Sequence, residues 1–310
     1  MVRRIHLHLA VIATGLLASC AQAPHFAPVD DAAFTAERKN MVRVALASWD
    51  AEQARLNGIR LRLWQTAVAR GQCKATQPGR GAVLETAADL PDGLRAEAQD
   101  TGYRTAGLYV AAVAPGSPAA GAGLQAGEHI VAAGGDHAPV QNALPPGWSG
   151  AGEMSLDVVG PGGSRTVHIG SVPLCAVDVV LEESHDLVAY YDGGRIHVSQ
   201  GMVQALPDDP SLAFVIAHEL GHATAKHTLM AHFFDPAGSR DQEREADLLG
   251  VRLVAYAGYD LGHLADIWDR LAQLDPNRIS PTWLSDHPLR AERKLRMQAA
   301  IAALASERVQ

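Results

Sequence analysis

His218-Glu219-Leu220-Gly221-His222 places two imidazoles and a carboxylate at a spacing that suits metal-assisted hydrolysis. On a helix of 3.6 residues per turn, positions i and i+4 lie about 40° apart, so both rings leave the same face one turn apart. That arrangement lets two histidines grip one Zn²⁺, with Glu219 beside it to hold a water and take its proton. A catalytic zinc needs a third protein ligand and one open position. The helix-like run from Asp241 to Tyr256 offers Glu243. The apolar lead-in, Ser211 to Ala217, is the kind of buried helix that carries such a site, and Gly221 is small where close approach is needed.

Glu243-Arg244-Glu245-Ala246-Asp247 follows the first motif. Together the two segments resemble the gluzincin metallopeptidases of the HtpX and CAAX-prenyl-protease type, in particular their soluble, cell-envelope branch. That family pairs HExxH with a later ExxxD on a second helix. The resemblance implies one zinc per chain, held by His218, His222 and Glu243. It also implies Asp247 as the carboxylate that orients a ligand histidine, since ligating imidazoles usually donate their second N–H to such a group. Glu245 points about 160° away from Asp247 on an ideal helix and is expected in solvent.

Ser285 to Arg293 contains a His-Pro step with an arginine six residues past the histidine, again similar to that family. The resemblance implies that His287 reaches the active site, to stabilise an oxyanion or to gate the zinc, and that Arg293 braces the same region or contacts an acidic partner. The plainer alternative is that Asp286-His287-Pro288 only starts the last helix, with Pro288 near its first position. His227 falls short of the spacing for a third histidine ligand. His185, His197, His232 and His263 carry no recognisable spacing either and are expected to be structural.

The chain starts with Met1-Val2-Arg3-Arg4 and an apolar run from about Ile5 to Leu17, the pattern of a secretory signal over residues 1–19. Leu17-Ala18-Ser19-Cys20 resembles a bacterial lipobox, which implies cleavage before Cys20 and lipid attachment there. Ala21 after the cysteine favours the outer membrane, and acyl chains on Cys20 suffice for stable anchoring. Cys73 and Cys175 then remain as an even pair in an oxidising compartment and are expected to form a disulfide stapling the module between them at its base.

Of the 310 residues, 47% are hydrophobic, enough for packed cores in about two domains. A formal net charge of −8 argues against nucleic acid as a partner. Residues 20–35 are Pro/Ala-rich and polar and read as a tether. Residues 36–75 read as helical, as one long helix or two shorter ones, from apolar positions at Val42, Ala45, Leu46, Trp49, Leu56, Ile59 and Leu63.

The stretch from Gly107 to Gly135 runs strand, Pro-Gly-Ser-Pro turn, short Ala-rich helix, Gly-Glu turn and strand. It resembles the core of a PDZ domain of the protease-associated kind. Met154–Val159 and Arg165–Ile169 would be its closing strands. The resemblance covers roughly residues 80–170, and the domain is placed at 76–172. PDZ domains bind extended peptides at a sheet edge. No clear carboxylate-binding sequence stands between Asp100 and Gly107, which leaves peptide capture and a purely structural role both open. After Cys175, residues 173–310 read as the metallopeptidase domain, with a hairpin at Val188–Gly201 turning on Asp192-Gly193-Gly194. Further helices are expected around Leu261–Leu274 and Leu289–Ser306. The loop from His232 to Asp241 is a candidate lid.

These readings combine into an α+β protein. A mainly helical, zincin-type domain with a small β hairpin or sheet is preceded by an inserted, β-rich PDZ-like domain. The expected function is zinc-dependent endopeptidase action on unfolded or misassembled polypeptides of the cell envelope, from the periplasmic side of the outer membrane. The rival reading is a non-proteolytic client-binding or assembly factor with a latent metal site.

Overall fold

A computed structural model describes residues 28–101, 106–140, 142–225, 236–275 and 290–307. Helix α1, Asp31–Ala69, opens the described chain. The Asp30 side chain accepts from the Ala33 N–H and so satisfies one donor that a helix start leaves over. The helix therefore begins inside the stretch expected to be tether, and of the two alternatives it is the one long helix, of 39 residues. Val42, Leu46, Trp49, Leu56, Ile59, Leu63 and Ala67 form its buried stripe, the 3.6-residue period of an amphipathic helix. Full burial of a side chain such as Leu63 contributes about 2 kcal/mol.

Strand β1, Thr76–Gly79, pairs antiparallel with β8, Val172–Cys175, as a two-stranded stem. The expected domain border at residue 172 thus falls at the start of β8. Cys73 and Cys175 are joined by a disulfide at the foot of this stem, their Cα atoms 5.4 Å apart.

Between the stem strands stands an antiparallel sheet in the order β2 (Ala82–Thr86), β3 (Leu108–Val113), β4 (His129–Ala133), β6 (Met154–Gly160), β7 (Gly163–Ile169). The short strand β5, Ala138–Pro139, pairs with β4. Two helices complete the module, α2 (Asp92–Thr101) and the single turn α3 (Pro118–Gly121), capped by Ser117. Leu108, Val110, Ile130, Leu156, Val158 and Ile169 form its own core. The turn between β6 and β7 needs a left-handed residue, and Gly163 supplies it at φ 90°.

Arg80 holds the segment that leads back to β6. Its guanidinium is buried and donates to the carbonyls of Gly147, Trp148, Gly150, Gly152, Ile169 and Gly170. Every donor is used on backbone, so this arginine is a structural clamp.

The rest of the chain packs against α1. A three-stranded sheet has the order β10 (Ala189–Tyr191), β11 (Arg195–Ser199), β9 (Asp178–Glu182), with β9 and β11 parallel. The Asp192 carboxylate accepts from the N–H groups of Arg195 and Gly194 in the hairpin turn, and these bonds hold it well below the usual carboxylate range. His197, expected to be structural, bridges Glu182 and Asp192 at 2.6 and 2.7 Å and stacks on Tyr190. Helices follow: α4 (Gln200–Ala205), α5 (Asp209–Ala225), α6 (Pro236–Tyr256), a 3-10 turn (Leu264–Asp266), α7 (Ile267–Leu274) and α8 (Arg290–Glu307). Because α6 already begins at Pro236, the part of the candidate lid from 236 to 241 is helix, and the remainder lies outside the described residues.

Alpha helix α1 is common to both halves. Trp49 and Gln53 donate to Glu85 on β2, and Asn57 donates to the Gly81 carbonyl. On the other side, Arg55 pairs with Asp209 at the start of α5 at 2.8 Å, and the Trp64 indole N–H donates to the Val177 carbonyl at 2.7 Å. The architecture is α+β.

The disulfide closes a sequence separation of 102 residues. Replacing Cys73 and Cys175 by serine is expected to lower unfolding free energy by about 2–5 kcal/mol through regained chain entropy in the unfolded state. Urea denaturation of the two proteins checks this, and coincident midpoints would contradict it.

Candidate metal centre

Helix α5 is apolar nearly all round: Leu212, Ala213, Phe214, Ile216, Ala217 and Leu220 are buried. It therefore carries His218 into the interior, where the side chain is 9% exposed. Helix α6 presents Glu243, Ala246, Asp247, Gly250, Val251 and Val254 to the same interior, the i, i+3, i+4, i+7 pattern of one face. Glu245 lies on the other side of this helix and is exposed.

The two helices approach very closely. A methyl group built on Gly221 would lie 3.1 Å from the Ala246 Cα, and one on Gly250 would lie 3.1 Å from the His218 backbone nitrogen. A side chain at either point would press on the facing backbone, which would have to give by a few tenths of an ångström. The short distance between helices brings the Glu243 carboxylate to the histidine rings.

The Nε2 atoms of His218 and His222 stand 3.1 Å apart. Glu243 Oε2 is 3.5 Å from the first and Oε1 is 3.2 Å from the second. One donor atom from each residue falls within 4.8 Å of the others. Two ring nitrogens and a carboxylate facing one point form the donor set zinc prefers, and the residues fit that ion.

Asp247 and Arg293 stand behind the donors. Asp247 Oδ1 is 3.0 Å from His218 Nδ1, which leaves Nε2 to face the cluster. Arg293 of α8 grips the same carboxylate with two arms, Nε at 2.8 Å and one terminal nitrogen at 2.6 Å. Its other terminal nitrogen is 3.6 Å from Glu243 Oε2. Burial opposes the Asp247 charge, but the Arg293 guanidinium and His218 outweigh it and hold the carboxyl below its usual range. Burial also opposes charge on His218, yet its bonds with Asp247 and then Glu243 push the imidazole up to about 10. The charges explain this. Two buried carboxylates and one guanidinium leave a single negative charge, which a proton on His218 neutralises when no metal does.

Glu219 is half-buried beside His218, and its charge helps to keep Arg293 protonated. His287, Cys20, His227 and His232 lie outside the described residues. Of the remaining histidines, His185 and His263 are exposed. The structure thus brings His218, Glu219, His222, Glu243, Asp247 and Arg293 to one place. Sequence reasoning missed Gly250, Phe214 and Trp268. Gly250 had a signal, since it lies seven residues past Glu243 on the same face. Trp268 had none, because its place beside Arg293 is set only by how α7 packs.

Two outcomes follow. Gly250→Val is expected to force α5 and α6 apart and cost about 1–3 kcal/mol of stability, with weakened zinc uptake; a variant as stable as the parent would show that the close approach is dispensable. At pH 7 the apo protein should hold a proton on His218, because pH 7 lies below its raised value. Zinc binding must then release about one proton. Calorimetry in buffers of different ionisation enthalpy measures this, and equal binding enthalpies in all buffers would contradict it.

The match to a protein-family model falls on this half of the chain. Residues 169–237 and 231–301 match the family model described as Peptidase family M48. Mitochondrial metalloendopeptidase OMA1 of Arabidopsis thaliana is 31% identical over 137 residues, 35% of this chain and 28% of that protein. The protein of the same name from Saccharomyces cerevisiae is 24% identical over 135 residues, 33% of this chain and 39% of that one. Metalloendopeptidase OMA1, mitochondrial, of Bos taurus is 24% identical over 155 residues, 36% of this chain and 30% of that one. The matched part therefore spans between a quarter and two fifths of the curated relatives' length. From residue 169 to residue 301, which includes every described member of the metal centre, the chain is similar to Peptidase family M48.

Proposed function

We propose that this chain is a zinc-dependent endopeptidase that cleaves polypeptides in the cell envelope. The observation that carries the reading is the convergence of His218, His222 and Glu243 within 4.8 Å, on helices held together by Gly221 and Gly250. The similarity of residues 169–301 to Peptidase family M48 supports it. Zinc at that point supplies Lewis acidity toward a scissile carbonyl and an attacking water. The chain's own groups do the rest. Glu219, next to the first ligand, takes the water's proton and passes it to the leaving amine. Asp247 keeps the His218 ring turned so that Nε2 faces the cluster, and Arg293 keeps Asp247 charged. His287 is assigned to the oxyanion or to gating by the family resemblance alone.

An extended substrate has an edge to pair with. Strand β10 is one of the two outer strands of its sheet and packs against α5, the helix that carries His218 and His222. The module between the stem strands is assigned as PDZ-like. Its antiparallel sheet and the Ser117-capped turn α3, with Pro118 at its start, support this. Anchoring through a lipid on Cys20, periplasmic exposure at the outer membrane and a quality-control role rest on the lipobox and family resemblances. The Cys73–Cys175 disulfide suits an oxidising compartment. No described helix is long and apolar enough to cross a membrane.

The test compares the parent protein with Glu219→Gln on an unfolded protein such as casein. Cleavage is expected to fall by at least ~10²-fold while zinc content stays at one per chain, the loss of a general base without loss of a ligand. Equal cleavage by the two proteins would sink the peptidase assignment. Loss of cleavage with full retention of envelope function would favour the client-binding reading instead.

A further inference from the structure

Trp268 of α7 lies with its ring face 4.2 Å from the Arg293 guanidinium carbon and is 5% exposed. Phe214 of α5 meets the same indole edge-on, centroids 6.0 Å apart at 78°, and its own ring is 6.1 Å from His218. Arg293 is confined in its own plane, because its donors point at Asp247 and Glu243. Those bonds do little to stop the planar group tilting out of that plane. That freedom matters here. A tilt would lengthen both bonds to Asp247, the carboxylate that stands 3.0 Å from His218 Nδ1.

We propose that Trp268 is a positioning residue for the metal centre: its ring face keeps the Arg293 guanidinium in the plane of its two bonds to Asp247. The inference rests on the zinc-site reading above. Phe214 sets the angle of the indole, so the chain of contacts runs Phe214, Trp268, Arg293, Asp247, His218 and returns to α5. A cation against an aromatic face gains electrostatic attraction that strengthens when both are withdrawn from water. The hydrogen bonds of such outer partners tune metal affinity by about 10–100-fold.

The test uses two variants of similar side-chain volume, Trp268→Phe and Trp268→Met, of which only the first keeps an aromatic face. Zinc affinity is measured by competition with a chromophoric chelator on the full chain, alone and combined with Arg293→Met. Trp268→Phe is expected to stay within about threefold of the parent Kd. Trp268→Met should weaken binding about tenfold, and neither should weaken it further once Arg293 is methionine. Equal losses in the two variants would show that Trp268 only fills space, and losses that multiply with Arg293→Met would show that it does not act through Arg293. Either result overturns the inference while the zinc site stands. A parent protein that binds no zinc would remove the site and this inference together.

Discussion

The approach of α5 to α6 is the constraint on which the rest depends. Side chains normally keep helix axes 8–10 Å apart, and the contact residues set the distance. Here Gly221 faces Ala246 and Gly250 faces the His218 backbone, so the helices meet with almost nothing between them at two levels. The ligands sit at those levels. A wider separation would draw the Glu243 carboxylate away from both imidazoles, now 3.5 and 3.2 Å from it. Packing and chemistry are therefore one requirement at this interface.

Burial makes that requirement stricter. Glu243, Asp247, His218 and Arg293 are nearly enclosed by apolar side chains, where an unpaired charge is costly. The four groups solve this by mutual pairing, with Arg293 shared between the carboxylates and Asp247 shared between Arg293 and His218. One negative charge remains for a cation or a proton to neutralise. The same arithmetic suits the site to a positive ion and makes His218 basic.

The long helix α1 gives this site a fixed surrounding. It closes the core beneath α5 through Leu63 and Trp64, and it reaches the start of α5 through the Arg55–Asp209 pair. Its middle also carries the module, through Glu85 and the Gly81 carbonyl. The disulfide and the β1–β8 stem tie the module's two ends to the same helix region. The inserted sheet thus has a core of its own and shares a support with the metal centre.

Local pattern was enough for much of this. HExxH and the Glu243/Asp247 spacing are matters of helical period, and any helix would place those side chains on common faces. The single turn α3, the β6–β7 hairpin and the Asp192 turn were equally legible, because glycine, proline and aspartate punctuate the backbone locally. The start of α1 was misjudged, since an Asp30 cap and a helix of ordinary polar residues look like tether until tertiary packing stabilises the turns beyond. The first turn of α6, expected as loop, was misjudged for the same reason. The sequence by itself determined which groups could bind a metal and which helix faces they share. Tertiary structure alone decided the rest: the depth of the α5–α6 contact, the enclosure that makes His218 basic, the six carbonyls around Arg80 and the indole over Arg293. Each of these depends on distances between segments far apart in the chain, and no periodicity encodes such distances.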